Sequence, residues 1–197
     1  MENLRRETDD VLVSLYLGGN NRAFDVLLDR HKERLFAYIR FIVRSSEVAE
    51  DIFQETFLKA IVTLQRGGYS GNGRFSAWLT RIAHNLIIDL FRQDRNDKVV
   101  SADSTDYDIL NDSTLSEKTV EDSIVNQQTL VDIRNLVNRL PMNQREVVFM
   151  RYYQNLSFKE IASITGVSIN TALGRMRSAL MGIRRMAEEK KIQLYMI

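Results

Sequence analysis

Residues 157–185 read SFKEIASITGVSINTALGRMRSALMGIRR. A short amphipathic segment meets Gly166, and a longer one follows with Arg175, Arg177, Arg184 and Arg185. The pattern predicts a helix-turn-helix, two helices crossing steeply at a short turn. The crossing needs a small residue on the first helix, and Ala162 supplies it. Four residues on, the turn needs a left-handed residue, and Gly166 meets no steric penalty there. Ile161, Val167, Ala172 and Met176 are expected to plug the core beneath, and Ser168 to cap the second helix.

The exposed side of that second helix then shows Asn170, Thr171, Arg175 and Ser178, with Arg177 beside them. These side chains suit a DNA major groove. Arg pairs with guanine edges and Asn with adenine edges, and Thr touches a thymine methyl. Residues near a helix N-terminus reach bases, while later basic residues hold phosphates. Asn170, Thr171 and Arg175 are therefore assigned to bases, and Arg177, Arg184 and Arg185 to phosphates.

Upstream, helical spacing dominates and β-type alternation is scarce. Phe24, Leu27, Leu28, Leu35, Tyr38, Ile39 and Ile42 recur at helical intervals between Asn20 and Val43. A second helix is expected over 46–65, starting at Ser46, and a third over 75–95 with Phe75, Trp78, Leu79, Ile82, Leu86 and Leu90 on one side. A shorter one falls near 9–17. Between 65 and 75 lies RGGYSGNG, which must be a loop. Beyond residue 96 the period fails, then returns near Asn126. Further helices are expected over 127–139, 141–153, 157–164 and 168–188, with Pro141 at the first helical position.

Charge follows the same division. The net charge is only +1, yet residues 97–133 hold nine acidic and two basic side chains, and residues 134–197 hold eleven basic and four acidic. A basic end is a candidate for polyanion binding. Apolar residues make up 44% and charged residues 27%, a globular balance. The expected fold is all-α: two small helical domains, 1–96 and 127–197, joined by a flexible acidic linker over 97–126.

Several chemistries find no support. There is no cysteine, hence no disulfide or thiolate site. His31 and His84 have no partner at metal-ligand spacing and are expected to be structural. Glu47, Asp51 and Glu55 line one helix face, but without the glycine-turned oxygen cage of a cation site. No triad, P-loop or dinucleotide fingerprint appears. The expectation is no catalytic residue, no metal and no cofactor. No apolar run is long enough to span a membrane and no secretory leader is evident, so a cytoplasmic protein without membrane insertion is expected.

LPMNQREVVFMRYYQNLSFKEIASITGVSINTALGRMRSAL, residues 140–180, resembles the fourth conserved region of bacterial RNA polymerase sigma factors. AEDIFQETFLKAI is similar to their polymerase-docking second region, and GRFSAWLTRIAHNLIIDLFR to the adjoining promoter-melting segment. Two domains with no third between them is the plan of the extracytoplasmic-function (ECF) group. The resemblance implies docking on a coiled coil of the polymerase's largest subunit through Asp51, Gln54, Glu55 and Leu58. It places Ser168, Asn170, Thr171, Arg175, Arg177 and Arg184 on duplex −35 DNA. It also implies that the glycine loop captures a flipped base of the −10 element. Tyr69, Ser70, Asn72 and Asn85 would form the pocket, with Arg74, Arg81 and Arg92 on the melted strand's phosphates. Core polymerase and promoter DNA are the implied partners, and an anti-sigma factor is common in the group. Leu173 stands where such factors often carry a basic residue, Gly174 where serine is common, and Thr165 replaces a bulkier apolar side chain. A helix-turn-helix regulator acting without polymerase is the other class of reading. It leaves the Asp51–Glu55 face and the aromatic loop without roles.

Overall fold

The computed structural model describes residues 2–100, 132–190 and 192. The described residues contain helices and no strand. They are α1 (Glu2–Arg5), α2 (Asp9–Leu17), α3 (Asn21–Val43), α4 (Ser46–Gln65), α5 (Phe75–Val100), α6 (132–138), α7 (Met142–Tyr152), α8 (Phe158–Thr165) and α9 (Ile169–Glu189). Packing divides the chain into two compact units, one holding α1–α5 and the other α6, α7 and α9.

In the first unit α3 is the axis. Helices α2, α4 and α5 all pack on it, because its buried residues Leu27, Leu35, Tyr38, Ile39 and Ile42 recur on a helical period. Ile52, Phe57 and Leu64 come from α4, and Phe75, Leu79, Leu86 and Ile87 from α5. Each such side chain contributes about 1.5–3 kcal/mol when removed from water. Tyr38 is fully buried, and its hydroxyl lies 3.5 Å from Nδ1 of buried His84.

Local chemistry sets the ends. Thr8 caps α2, its hydroxyl accepting from the Val11 N–H, and Asp9 and Asp10 fill the first turn, where the helix dipole favours carboxylates. Helix α4 starts at Ser46 as expected, and Ser45 caps it by accepting from the Val48 N–H. With two serines in a row, the one in extended backbone takes the role. Asn20 precedes α3 without a side-chain cap bond; its carbonyl accepts from the Ala23 N–H. Helix α5 runs to Val100, past its expected end at 95. No glycine or proline between 91 and 100 stops it. Its last residues take up the first part of the expected linker. The remainder, 101–126, lies outside the described residues, as do residues 127–131 of the helix expected over 127–139.

Asp9 ties α2 to α3. One of its oxygens accepts from the Arg30 guanidinium, and the other sits 2.9 Å from His31 Nε2. Arg30 also donates to the carbonyls of Arg5 and Glu7, so one side chain collects the whole entry to α2. Burial pushes the Asp9 carboxyl up, but the His31 hydrogen bond and charge, followed by those of Arg30, outweigh it and hold the group below its ordinary value.

In the second unit, Pro141 is the N-cap of α7 rather than its first helical residue; its carbonyl accepts from the N–H groups of Gln144 and Arg145. Ser157 and Glu160 form a reciprocal capping box at α8. The Glu160 carboxylate accepts from the Ser157 N–H at 2.8 Å, and the Ser157 hydroxyl accepts from the Glu160 N–H at 3.3 Å. Gly166 has φ +66°, and the Val167 N–H donates to the Ala162 carbonyl at 3.1 Å. Ile161, Ala162, Ala172 and Met176 are buried as expected, while Val167 is half-buried. The stripe of α9 continues through Ala179, Ile183 and Ala187.

Two glycines of this unit respond oppositely to alanine. Gly174 is helical with open space where a Cβ would stand, so Gly174→Ala should stabilise by roughly 0.5–1 kcal/mol. Gly166→Ala forces a Cβ into left-handed backbone and should cost about 1–2 kcal/mol. Urea unfolding of both variants checks the pair. The depressed Asp9 carboxyl makes a pH prediction. Its contribution is present above the ordinary carboxylate value, about 3.9, and is lost as pH falls through the lower folded value. Asp9→Asn should therefore flatten that part of the acid-unfolding curve. An identical curve for wild type and variant would count against the clamp.

Candidate nucleic-acid and partner interfaces

Helix α9 starts from a cap. The Ser168 hydroxyl accepts from the Thr171 N–H at 3.0 Å and lies 2.8 Å from the Thr171 hydroxyl. Asn170, Thr171, Leu173, Gly174, Arg177, Ser178, Leu180, Met181, Arg184 and Arg185 are all exposed. Asn170, Gly174, Arg177, Met181 and Arg184 follow one another at three- and four-residue steps, so they form one outward ridge. Arg175 departs from the expected pattern and is half-buried. It stands three residues after Ala172 and four before Ala179, so it borders the buried stripe instead of crowning the ridge. With Leu173 41% exposed, an apolar group sits among the polar readers.

On α4, the expected docking residues Asp51, Gln54, Glu55 and Leu58 are all exposed. Glu55 pairs with Lys59 at 3.0 Å, an exposed ion pair worth little to stability. Leu58 is 63% exposed and Val62, one turn on, 43%. The face is thus acidic at one end and apolar at the other; Leu58 was among the expected docking residues, and Val62 was not. Beside it lies an open groove lined by Lys32, Glu33 and Phe36 of α3 and Glu50, Phe53 and Gln54 of α4. The Phe36 and Phe53 rings meet edge to face at 5.6 Å.

The glycine loop between α4 and α5 is built around three rings. Tyr69 lies 5.5 Å from Phe75 and 5.2 Å from Trp78, and Phe75 lies 5.3 Å from Trp78. Phe75 is core, whereas Tyr69 and Trp78 are half-buried. Ser70, Asn72, Arg74, Arg81, Asn85 and Arg92 are exposed. On α5, Trp78, Arg81, Asn85 and Arg92 recur at helical spacing, which puts the two rings at the head of a polar and basic row. Such an arrangement can stack a base and hold a phosphate backbone.

Sequence reasoning missed what fixes Tyr69. Its hydroxyl donates to one carboxylate oxygen of Asp10 at 2.6 Å, and the other oxygen accepts from the Gly73 N–H at 2.8 Å. Burial, then the Asp10 hydrogen bond and the charges of Asp10 and Asp9, raise the Tyr69 phenol well above its ordinary value. It therefore stays a donor throughout the neutral range. The acids of TDD at 8–10 carried one visible signal, the favourable first turn of α2, and nothing local pointed 59 residues ahead. Among the described residues, no group of three or more His, Asp or Glu side chains is arranged to hold a metal ion, and no helix is long and apolar enough to cross a membrane.

Comparison with known proteins gives two family matches. Sigma-70 region 2 matches residues 27–96, and Sigma-70, region 4 matches residues 130–180. The ECF RNA polymerase sigma factor BldN of Streptomyces coelicolor is 33% identical over 79% of this chain, which spans 56% of that protein. The ECF RNA polymerase sigma factor SigW of Bacillus subtilis is 28% identical, over 85% of this chain and 90% of that protein. Two solved structures share the fold. The sigma factor RpoE of Bartonella quintana, in complex with the anti-sigma factor NepR, has a TM-score of 0.68 at 21% identity, covering 84% of this chain and 96% of that one. CnrH, in complex with the cytosolic domain of CnrY, has a TM-score of 0.64 at 23% identity, covering 93% and 99%.

Proposed function

The chain belongs to the sigma-70 family of bacterial RNA polymerase sigma factors, in its extracytoplasmic-function group, and on that premise we propose that it binds core RNA polymerase and directs promoter-specific initiation. The observation that carries the reading is the pairing, on one chain, of an outward reading ridge on α9 with a half-buried aromatic pair, Tyr69 and Trp78, heading an exposed polar and basic row on α5. A duplex reader alone has no use for the second.

In this reading, residues 1–96 dock on polymerase and melt the −10 element. Residues 127–197 recognise the −35 element, and the acidic stretch 97–126 joins them. Asp51, Gln54, Glu55 and Leu58 meet a coiled coil of the largest subunit. The carboxylates attract its cations, and Leu58, with Val62, buries apolar surface at the centre of the contact. Asn170 and Thr171 face base edges. Arg177 and Arg184 hold phosphates, Ser168 presents the helix N-terminus, and Arg175 reaches the groove from the side of the ridge.

Unstacking a base from the duplex costs a few kcal/mol. Stacking on an aromatic ring returns about 1–3 kcal/mol per base. Tyr69 supplies that ring, with Ser70, Asn72 and Asn85 offering hydrogen bonds around it and Arg74, Arg81 and Arg92 lying along the strand. Two weak sites on one chain gain from effective concentration. The 26 residues from 101 to 126 could reach up to roughly 90 Å if extended, against about 34 Å for a turn of DNA.

The chain itself performs no catalysis in this reading; polymerase supplies the chemistry. It acts in the cytoplasm without inserting in a membrane. Its partners include an anti-sigma factor, as for the Bartonella protein of like fold.

The direct test is transcription in vitro with core polymerase on fragmented genomic DNA. Discrete start sites that appear only with this chain are expected; no chain-dependent transcript would overturn the proposal. Asp51→Ala with Glu55→Ala should weaken polymerase binding and leave helix content and upstream-duplex binding intact, as fluorescence titration and circular dichroism would report. On the duplex, Arg175→Ala should cost ~1–3 kcal/mol at the cognate site if it pairs with a base edge. Arg177→Ala should instead weaken all sequences alike and lower the salt dependence. Titrating both against cognate and scrambled sites separates the roles.

A further inference from the structure

Asp10 stands in α2, ahead of the stretch matched to Sigma-70 region 2, yet it makes two hydrogen bonds to the loop between α4 and α5. Tyr69 and Gly73 are the feet of an arch whose span is Ser70, Gly71 and Asn72. Each carboxylate oxygen of Asp10 holds one foot, so the span faces outward, and its three residues are exposed. Gly71 and Gly73 have φ +59° and +70°. A loop this rich in glycine has much conformational freedom to lose when it is ordered. Two bonds to a charged acceptor are strong enough to fix it.

The holder is itself held. Asp9, the preceding residue, is clamped to Arg30 and His31 of α3. The His31 ring lies 5.2 Å from Phe75, which in turn lies against Tyr69. Position therefore passes from α3, through two adjacent carboxylates, to the Tyr69 ring.

We propose that Asp10 is a positioning residue for the capture of melted promoter DNA: by closing the 69–73 arch it presents the Tyr69 ring, and the Ser70 and Asn72 side chains, to an unstacked base. This rests on the reading of the loop as a base-capturing site. Electrostatics alone predicts the opposite outcome, because a carboxylate beside a nucleic-acid strand repels its phosphates. Removing that charge would then tighten binding, most strongly at low salt.

The test uses the full chain assembled with core polymerase, and two probes. One is a fluorescent single-stranded oligonucleotide carrying the −10 sequence of a promoter mapped by the transcription assay; the other is the upstream duplex. Asp10→Ala removes both hydrogen bonds and is expected to weaken single-strand binding by about tenfold or more, since even one lost bond to a charged group is of that order. The loss should persist at every salt concentration, with the duplex bound as before. Asp10→Asn, nearly isosteric and still carrying one carbonyl acceptor, should fall between, and it keeps the result readable if the alanine variant folds poorly. Tyr69→Phe should weaken the same probe, and adding Asp10→Ala to it should weaken binding by less than the two single losses combined. Unchanged or tighter single-strand binding by both Asp10 variants, beside a clear loss in Tyr69→Ala, would overturn the inference and leave the loop's role standing. Full additivity of Asp10→Ala and Tyr69→Phe would also overturn it, since the effect would not run through the hydroxyl. Unaltered binding by Tyr69→Ala would overturn the loop's role and the inference together.

Discussion

Burial of one stripe on α3 is the interaction from which the first unit is built. Leu27, Leu35, Tyr38, Ile39 and Ile42 present a continuous apolar face, and α2, α4 and α5 all pack on α3. Each partner spends its apolar side inward, so its opposite side is left for other work. On α4 that side carries Asp51, Gln54, Glu55 and Leu58; on α5 it carries Arg81, Asn85 and Arg92. The surfaces that meet other molecules are thus set by what α3 requires of its neighbours.

In the second unit a backbone constraint has the corresponding role. The left-handed Gly166 and the small, buried Ala162 turn the chain between α8 and α9. The stripe Ala172, Met176, Ala179, Ile183 and Ala187 then fixes the rotation of α9 about its own axis. Rotation decides which polar side chains face outward. It sends Asn170 and Arg177 to the ridge and leaves Arg175 at its margin.

Much of this was legible in the sequence, for a physical reason: helical period is a local signal, and every predicted helix that falls on described residues is present. The exposure of Asn170, Thr171, Arg177 and the α4 docking residues followed from that period. What escaped was of two kinds. End chemistry shifted by a residue, as with Pro141, which is the cap rather than the first helical residue. Contacts between distant segments left no local trace. Asp10 reaches Tyr69 only because α2 and the glycine loop meet in space, and Trp78, whose spacing suited core, is half-buried with Tyr69 packed against it. The Ser157–Glu160 box differs from these: its spacing was visible, and it merely went unread.

The apolar end of the α4 face bears on how the protein behaves when it has no partner. Leu58 and Val62 then sit in water beside the Glu55–Lys59 pair, and close approach of a greasy surface, including another copy of the chain, would strip hydration from both charges. The charged pair acts as a gatekeeper: it disfavours indiscriminate sticking and reserves the strip for surfaces that bring polar groups of their own to meet it.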